Sequence, residues 1–213
     1  LAELEPESPV AGAILALEDE ELAEAKSSLE KYLEESPEDT AALYLYSTTL
    51  ASQGDDEAAL EVIERGPEIR PNASDAHFNR AAHLDGVGRS DEAIEVLRGL
   101  LEREPDHDAA ALQLVIILRK KGEHAEALRV SEAALEEQPG ALLLRYKQAE
   151  SLAILGNKEA AFDALCALVE LDPEAALAIE ENEHFAPHVS DPKWRALIDS
   201  VHVHDENCDH EAS

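Results

Sequence analysis

The stretches SQGDDEAAL at residues 52–60 and GVGRSDEAI at residues 86–94 share one pattern: a glycine, an acidic or hydroxyl residue close behind it, and a small alanine five positions after the glycine. Gly54 and Gly88 stand 34 residues apart, and Gly122 and Gly156 continue the step. Working outward, Ala25, Ala59, Ala93, Ala127 and Ala161 keep the same interval, and so do Pro37, Pro71, Pro105, Pro139 and Pro173. Three residue types hold one phase without an insertion, which marks the interval as a structural unit.

Each residue type has a physical reason to recur. Glycine ends a helix in a turn that requires positive φ or a close approach of chains, and Asp or Ser behind it can cap the next helix. The small alanine lets two helices of a hairpin come close. Proline cannot continue a helix and restricts the residue before it. Between the markers, apolar residues follow helical spacing, as in Leu43, Tyr46 and Leu50, then Ala59, Leu60 and Ile63, then Ile94, Leu97 and Leu100. No window alternates as a strand would. The pattern predicts helix, turn, helix and stop in units 40–73, 74–107, 108–141 and 142–175, with a weaker unit at 6–39. In that first unit Glu20 replaces the turn glycine, and Pro9 and Gly12 are expected to interrupt the first helix.

After Pro173 the period stops. PEAALAIEENEHF (173–185) reads as a helix, and SDPKWRALIDSV (190–201) as another, capped by Asp191 with Pro192 in its first turn. Trp194, Leu197, Ile198 and Val201 form an apolar face suited to covering the exposed end of the last unit.

Composition agrees with an all-α protein. Of 213 residues 45% are hydrophobic but only 4% aromatic, and Ala, Leu and Glu dominate. The 48 acidic residues outnumber 17 basic ones for a formal charge of −31, spread along the chain, which disfavours nucleic acid and anionic membrane surfaces as partners. No apolar run reaches the ~20 residues of a membrane helix, so no membrane insertion is expected. Cys166 and Cys208 lie far apart without a CxxC spacing, which fits a reducing compartment. A cytoplasmic location is expected. The first residue is Leu1 rather than Met, which keeps a periplasmic one open, because a leader could have been removed.

On the phased glycines, alanines and prolines the chain resembles the tetratricopeptide repeat family. The family's small residue in the first helix is matched by Ala13, Ser47, Ala81, Val115 and Ala149, and its large residue in the second by Leu29, Ile63, Leu97 and Leu165. Ser131 departs from the latter, and Leu43, His77, Ala111 and Arg145 stand where the family often has tryptophan. The resemblance implies a right-handed α-solenoid of 34-residue helix-turn-helix repeats over residues 1–175, C-terminal capping helices at 176–201 and a polar tail at 202–213. It also implies a groove lined by the first helices. Carried residue by residue, its wall is Val10, Tyr44, Phe78, Leu112 and Tyr146, and one turn on Ile14, Thr48, Ala82, Ile116 and Glu150, with Arg119 and Lys120 at the end of one first helix. The same residues could instead pack helix to helix. Relatives that grip a carboxylate terminus use Lys and Asn at these places, which this wall lacks.

The expected function is a non-enzymatic adaptor that holds a protein or peptide partner in the groove, with rings as anchors. No cofactor is expected. The chain has no P-loop, no GxSxG, no HExxH and no dinucleotide turn, and its glycines are already explained by the repeat. His77, His83, His107 and His124 are scattered singly. VHVHDENCDH (201–210) raises a second reading, metal binding or metal-assisted chemistry through His202, His204, Cys208 and His210. Its order does not match the HxHxDH pattern of binuclear hydrolases, and a short tail seldom preorganises a site. A third reading makes self-association into a homo-oligomer the purpose of the repeats.

Overall fold

The structure, a computed structural model, describes residues 10–12, 14 and 21–199. Pro9, Ala13, Glu20, Val201 and the tail residues His202, His204, Cys208 and His210 lie outside the described residues. Every element among the described residues is helical.

The chain divides into two compact bodies, residues 1–103 and 104–213. In the first body, residues 10–12 and 14 are helical, so Gly12 does not interrupt the first helix there. They are followed by α1 (Leu22–Glu35), α2 (Thr40–Ser52), α3 (Asp56–Ile69), α4 (Ser74–Gly86) and α5 (Ser90–Arg103). The second body holds α6 (Asp108–Lys120), α7 (His124–Glu137), α8 (Leu142–Ile154), α9 (Lys158–Leu171), α10 (Ala175–Glu181), a 3-10 turn at Ala186–His188 and α11 (Pro192–Asp199). Within each body, consecutive helices from α1 to α5 and from α6 to α11 pack on one another.

The turns between paired helices follow from backbone chemistry. Gly122 has φ +80°, and its N–H donates to Arg119 O at 2.9 Å while Glu123 N–H donates to Leu118 O at 2.8 Å. These two bonds satisfy carbonyls that the helix end would leave orphaned, and they require a residue in the left-handed region. Gly54, Gly88 and Gly156 repeat the arrangement with φ between +80° and +84°. Capping of the second helices is less regular than the sequence implied. Asp55 accepts from Ala58 N–H at 3.3 Å, whereas Ser90 donates to Asp85 Oδ1 at 2.8 Å and does not cap. Asp39, entering α2, accepts from the N–H groups of Ala41 and Ala42 and from the Tyr32 hydroxyl.

Ala25, Ala59, Ala93, Ala127 and Ala161 are all 0% exposed. Around them Leu29, Ile63, Leu97, Leu100 and Leu165 are buried, each stabilising the fold by about 1.5–3 kcal/mol relative to exposure. Ser131 takes the corresponding place in α7, also buried, and satisfies its hydroxyl by donating to Leu128 O.

The C-terminal segment is shorter in helix than its sequence suggests. α10 ends at Glu181, and Asn182 to Phe185 leave the helix to bring Phe185 to full burial. Phe185 and Trp194 then pack with Ile198, Leu165 and Leu168. Trp194 lies 5.7 Å from the Phe162 ring and 5.8 Å from Phe185, so α11 covers the end of α9. Asp191 accepts from Lys193 N–H at 3.0 Å at the start of α11.

Two glycines separate conformational need from sequence habit. Gly122→Ala is expected to lower stability by about 1 kcal/mol, because a side chain is strained at positive φ. Gly99→Ala, in the exposed middle of α5 where an added methyl meets open space, is expected to raise it by about 0.5–1 kcal/mol. Urea midpoints compare them; a neutral or stabilising Gly122→Ala contradicts this account of the turn.

Candidate functional site

The first helices of the pairs, α2, α4, α6 and α8, carry the predicted wall residues. In the first body, Tyr44 and Thr48 sit one turn apart on α2, and Phe78 and Ala82 one turn apart on α4; all four are partly exposed. Tyr44, Thr48 and Ala82 meet at a recess of about 370 Å³, together with Ala51, His83 and Val87. Phe78 lies outside that recess. His83, which the sequence offered only as a lone helical histidine, is 8% exposed and receives the Tyr44 ring edge-on at 5.8 Å and 77°. Its buried Nε2 has no hydrogen-bond partner in the protein. The recess is therefore lined by an aromatic ring, by alanine and valine methyls and by the polar side chains of Thr48, Ser52 and Asp56, and its size suits a peptide side chain.

In the second body the predicted residues divide among three places. Leu112 lines an open apolar hollow of about 410 Å³ with Ala109, Leu142, Leu143 and Leu144, and Leu143 is 61% exposed. Ile116, Arg119 and Lys120 line a second recess of about 540 Å³ with His124, Lys147, Ile154 and His184. Tyr146 and Glu150 turn toward the C-terminal segment instead.

That last pair corrects the reading of the wall. Glu150 is 5% exposed. Its Oε2 accepts from Arg119 Nη1 at 2.6 Å and from Lys147 Nζ at 2.9 Å, and its Oε1 accepts from Asn182 Nδ2 at 2.7 Å. The carboxylate is thus held by three donors inside the body and is not presented to an occupant of a groove. The Tyr146 hydroxyl donates to Ala178 O at 3.1 Å and accepts from Asn182 Nδ2 at 2.7 Å, while its ring meets Phe185 edge-on at 5.9 Å. Burial, ahead of its other neighbours, pushes the Tyr146 phenol above its usual range. Tyr146 anchors α10 and the turn behind it, so it is a poor test residue for partner binding.

Lys147, Asn182 and His184 were not singled out in the sequence. Lys147 was legible as an i, i+3 partner of Glu150. Asn182 and His184 belong to the non-repeating segment, where no period predicts which way a side chain faces. Among the described residues no group of three or more His, Cys, Asp or Glu is placed to hold a metal ion, and no helix is long and apolar enough to cross a membrane. Cys166 is partly buried, and burial raises its thiol pKa, which disfavours the reactive thiolate.

Removing the buried anion is expected to cost more than removing the amide that bridges it. Glu150→Ala leaves Arg119 and Lys147 facing a place without a carboxylate and should lower stability by about 3 kcal/mol. Asn182→Ala should cost about 1–2 kcal/mol and loosen α10, seen as faster amide exchange there. A Glu150→Ala protein as stable as wild type would show that the network contributes nothing.

A tetratricopeptide repeat family model matches residues 16–81 and 86–143. No curated protein matches the sequence. Among solved structures, the chain is similar to YrrB, described as a TPR protein with an unusual peptide-binding site, at 21% identity and a TM-score of 0.58 over 81% of this chain and 89% of that one. It is similar to a crystal structure of MamA at 16% identity and a TM-score of 0.63, covering 78% of this chain and 96% of the other. A MamA structure beginning at residue 41 from Desulfovibrio magneticus RS-1 gives 18% identity and a TM-score of 0.62 over 78% and 94% of the two chains. At such identities the likeness to these structures establishes the fold alone. The family match spans more than half of the residues, and the chain belongs to the tetratricopeptide repeat family.

Proposed function

We propose that the protein is a non-enzymatic adaptor that binds a partner peptide or helix on the faces of its first helices. The observation that carries this reading is the division of labour between paired helices. The phased alanines of the second helices are fully buried, while the first helices keep Tyr44, Leu112 and Ile116 partly exposed beside hollows of 370–540 Å³, and Phe78 partly exposed outside them. Large apolar groups held on rigid helices beside hollows are what a bound side chain requires, because little conformational entropy is lost on contact. YrrB, by its description, has a peptide-binding site, and that supports the same reading for a chain of this fold. The metal-handling alternative falls on His202, His204, Cys208 and His210, outside the described residues, and draws no support from the helices. Self-association is a use the same faces could serve, with a second copy as the partner.

The test uses wall residues that make no contact with the C-terminal segment in the way Tyr146 does. Tyr44→Ser and Phe78→Ser together should abolish capture of a partner from native extract at near-physiological salt, with the helical circular dichroism unchanged. Tyr146→Ser is left out because it also breaks contacts to α10. A protein recovered equally by wild type and by the Tyr44/Phe78 double variant sinks the assignment of this face.

A further inference from the structure

We propose that the recess bordered by α2, the start of α3 and the end of α4 receives a lysine or arginine side chain of the partner, its aliphatic stem along Tyr44 and the alanine and valine methyls and its cationic head at Asp56. This rests on the adaptor reading and names the chemistry the partner brings to it.

The lining sets the chemistry. Asp56 is the only Asp, Glu, Lys or Arg among the described residues that line the recess. It is exposed, and no cation or hydrogen-bond donor side chain engages its carboxylate among the described residues. Thr48 donates its hydroxyl to Tyr44 O at 2.9 Å, so toward an occupant its oxygen can only accept, and Ser52 adds a second hydroxyl oxygen. An anion and acceptors thus gather without a cation, beside the Tyr44 ring and the methyls of Ala51, Ala82 and Val87. A long cationic side chain meets both halves, its stem on the ring and methyls, its head on the carboxylate and hydroxyl oxygens. A volume near 370 Å³ lies within the range of ligand-sized hollows.

The repeat does not demand this acid. Asp56 opens α3, and at the 34-residue step Ser90 opens α5, His124 opens α7 and Lys158 opens α9. A helix dipole favours an acid at its N-terminus. A hydroxyl, an imidazole and an ammonium nevertheless serve the same turn in the other units. Where the recess of the first body has Ala51, Ser52 and Asp56, the recess at the same register in the second body has Arg119, Lys120 and His124. The charge that lines this register is therefore set unit by unit and not by the fold.

The field of the whole chain agrees in sign. With 48 acidic residues against 17 basic ones it draws cations from a distance but holds them at no particular place. Asp56 beside a ring and methyls turns that attraction into a position. Because Asp56 is exposed, the charge pair is screened and weak by itself, and the apolar contact of the stem must add to it. An apolar side chain without a charged head gains only half of what the recess offers, and so does a cation whose stem finds no apolar wall.

The experiment titrates the full chain with capped peptides carrying lysine or arginine between leucines, with their norleucine and glutamate counterparts, and with spermidine. Carbon-13 NMR follows the methyls of Thr48, Ala51, Ala82 and Val87. The basic peptides should shift these methyls saturably and bind about fivefold more weakly to Asp56→Asn, while Asp56→Glu retains the binding; circular dichroism checks the fold of both variants. Diffuse attraction to an acidic chain would barely notice Asp56→Asn, which removes one charge from a formal −31. The proposal is overturned if the basic peptides leave these methyls unmoved, if the norleucine or glutamate peptides move them equally, if spermidine binds as well or better, or if folded Asp56→Asn binds the basic peptides as tightly as wild type. Its failure is separable from that of the adaptor reading. A captured partner that needs Tyr44 and Phe78 but tolerates Asp56→Asn removes this proposal alone, whereas basic peptides that fill the recess of a chain capturing no partner remove the adaptor reading.

Discussion

The contact on which both bodies depend is a methyl group against a neighbouring helix. Ala25, Ala59, Ala93, Ala127 and Ala161 are fully buried at one interval, and a larger side chain at any of them would push the helices apart at a cost of about 1–3 kcal/mol or more. A helix turns through 100° per residue, so one inserted residue would rotate the alanine out of the interface. The absence of insertions across the repeats follows from that geometry. The positive-φ glycines serve the same contact from the other side. By closing the first helix with two backbone bonds, each turn fixes where the second helix begins and hence which residue faces its partner.

Packing is carried by small residues and by buried leucines of both helices of each pair, such as Leu43, Leu84 and Leu114 on the first helices, which leaves other large side chains there outside the core. Tyr44, Phe78, Leu112 and Ile116 remain partly exposed for this reason. The acidic surface then acts as a filter, since a chain of −31 repels most anionic surfaces at long range.

The fold was legible because its determinants are local and periodic: a glycine that needs positive φ, an alanine that needs closeness and a proline that stops a helix act within a few residues of themselves. The candidate site was legible only in part. Tyr44, Thr48 and Ala82 come together as the register implies, but Tyr146 and Glu150 do not stay on the wall. Their partners, Asn182 and Phe185, lie in a segment without a period, and the bonds between them span 32 to 36 residues, where spacing carries no signal. Burial of Glu150 depends on two cations and an amide arriving from different elements, which no single window of sequence displays. The end of α10 at Glu181 is legible only in retrospect, because Phe185 draws the chain out of the helix to reach the core.

The account turns on which face of the paired helices meets the partner. Amide hydrogen exchange on the purified chain, alone and in complex with the protein it captures, locates that face directly. Slowed exchange in α2, α4, α6 and α8, with α3, α5, α7 and α9 unchanged, is the expected result. Protection confined to the second helices, or to the segment after Pro173, would contradict it.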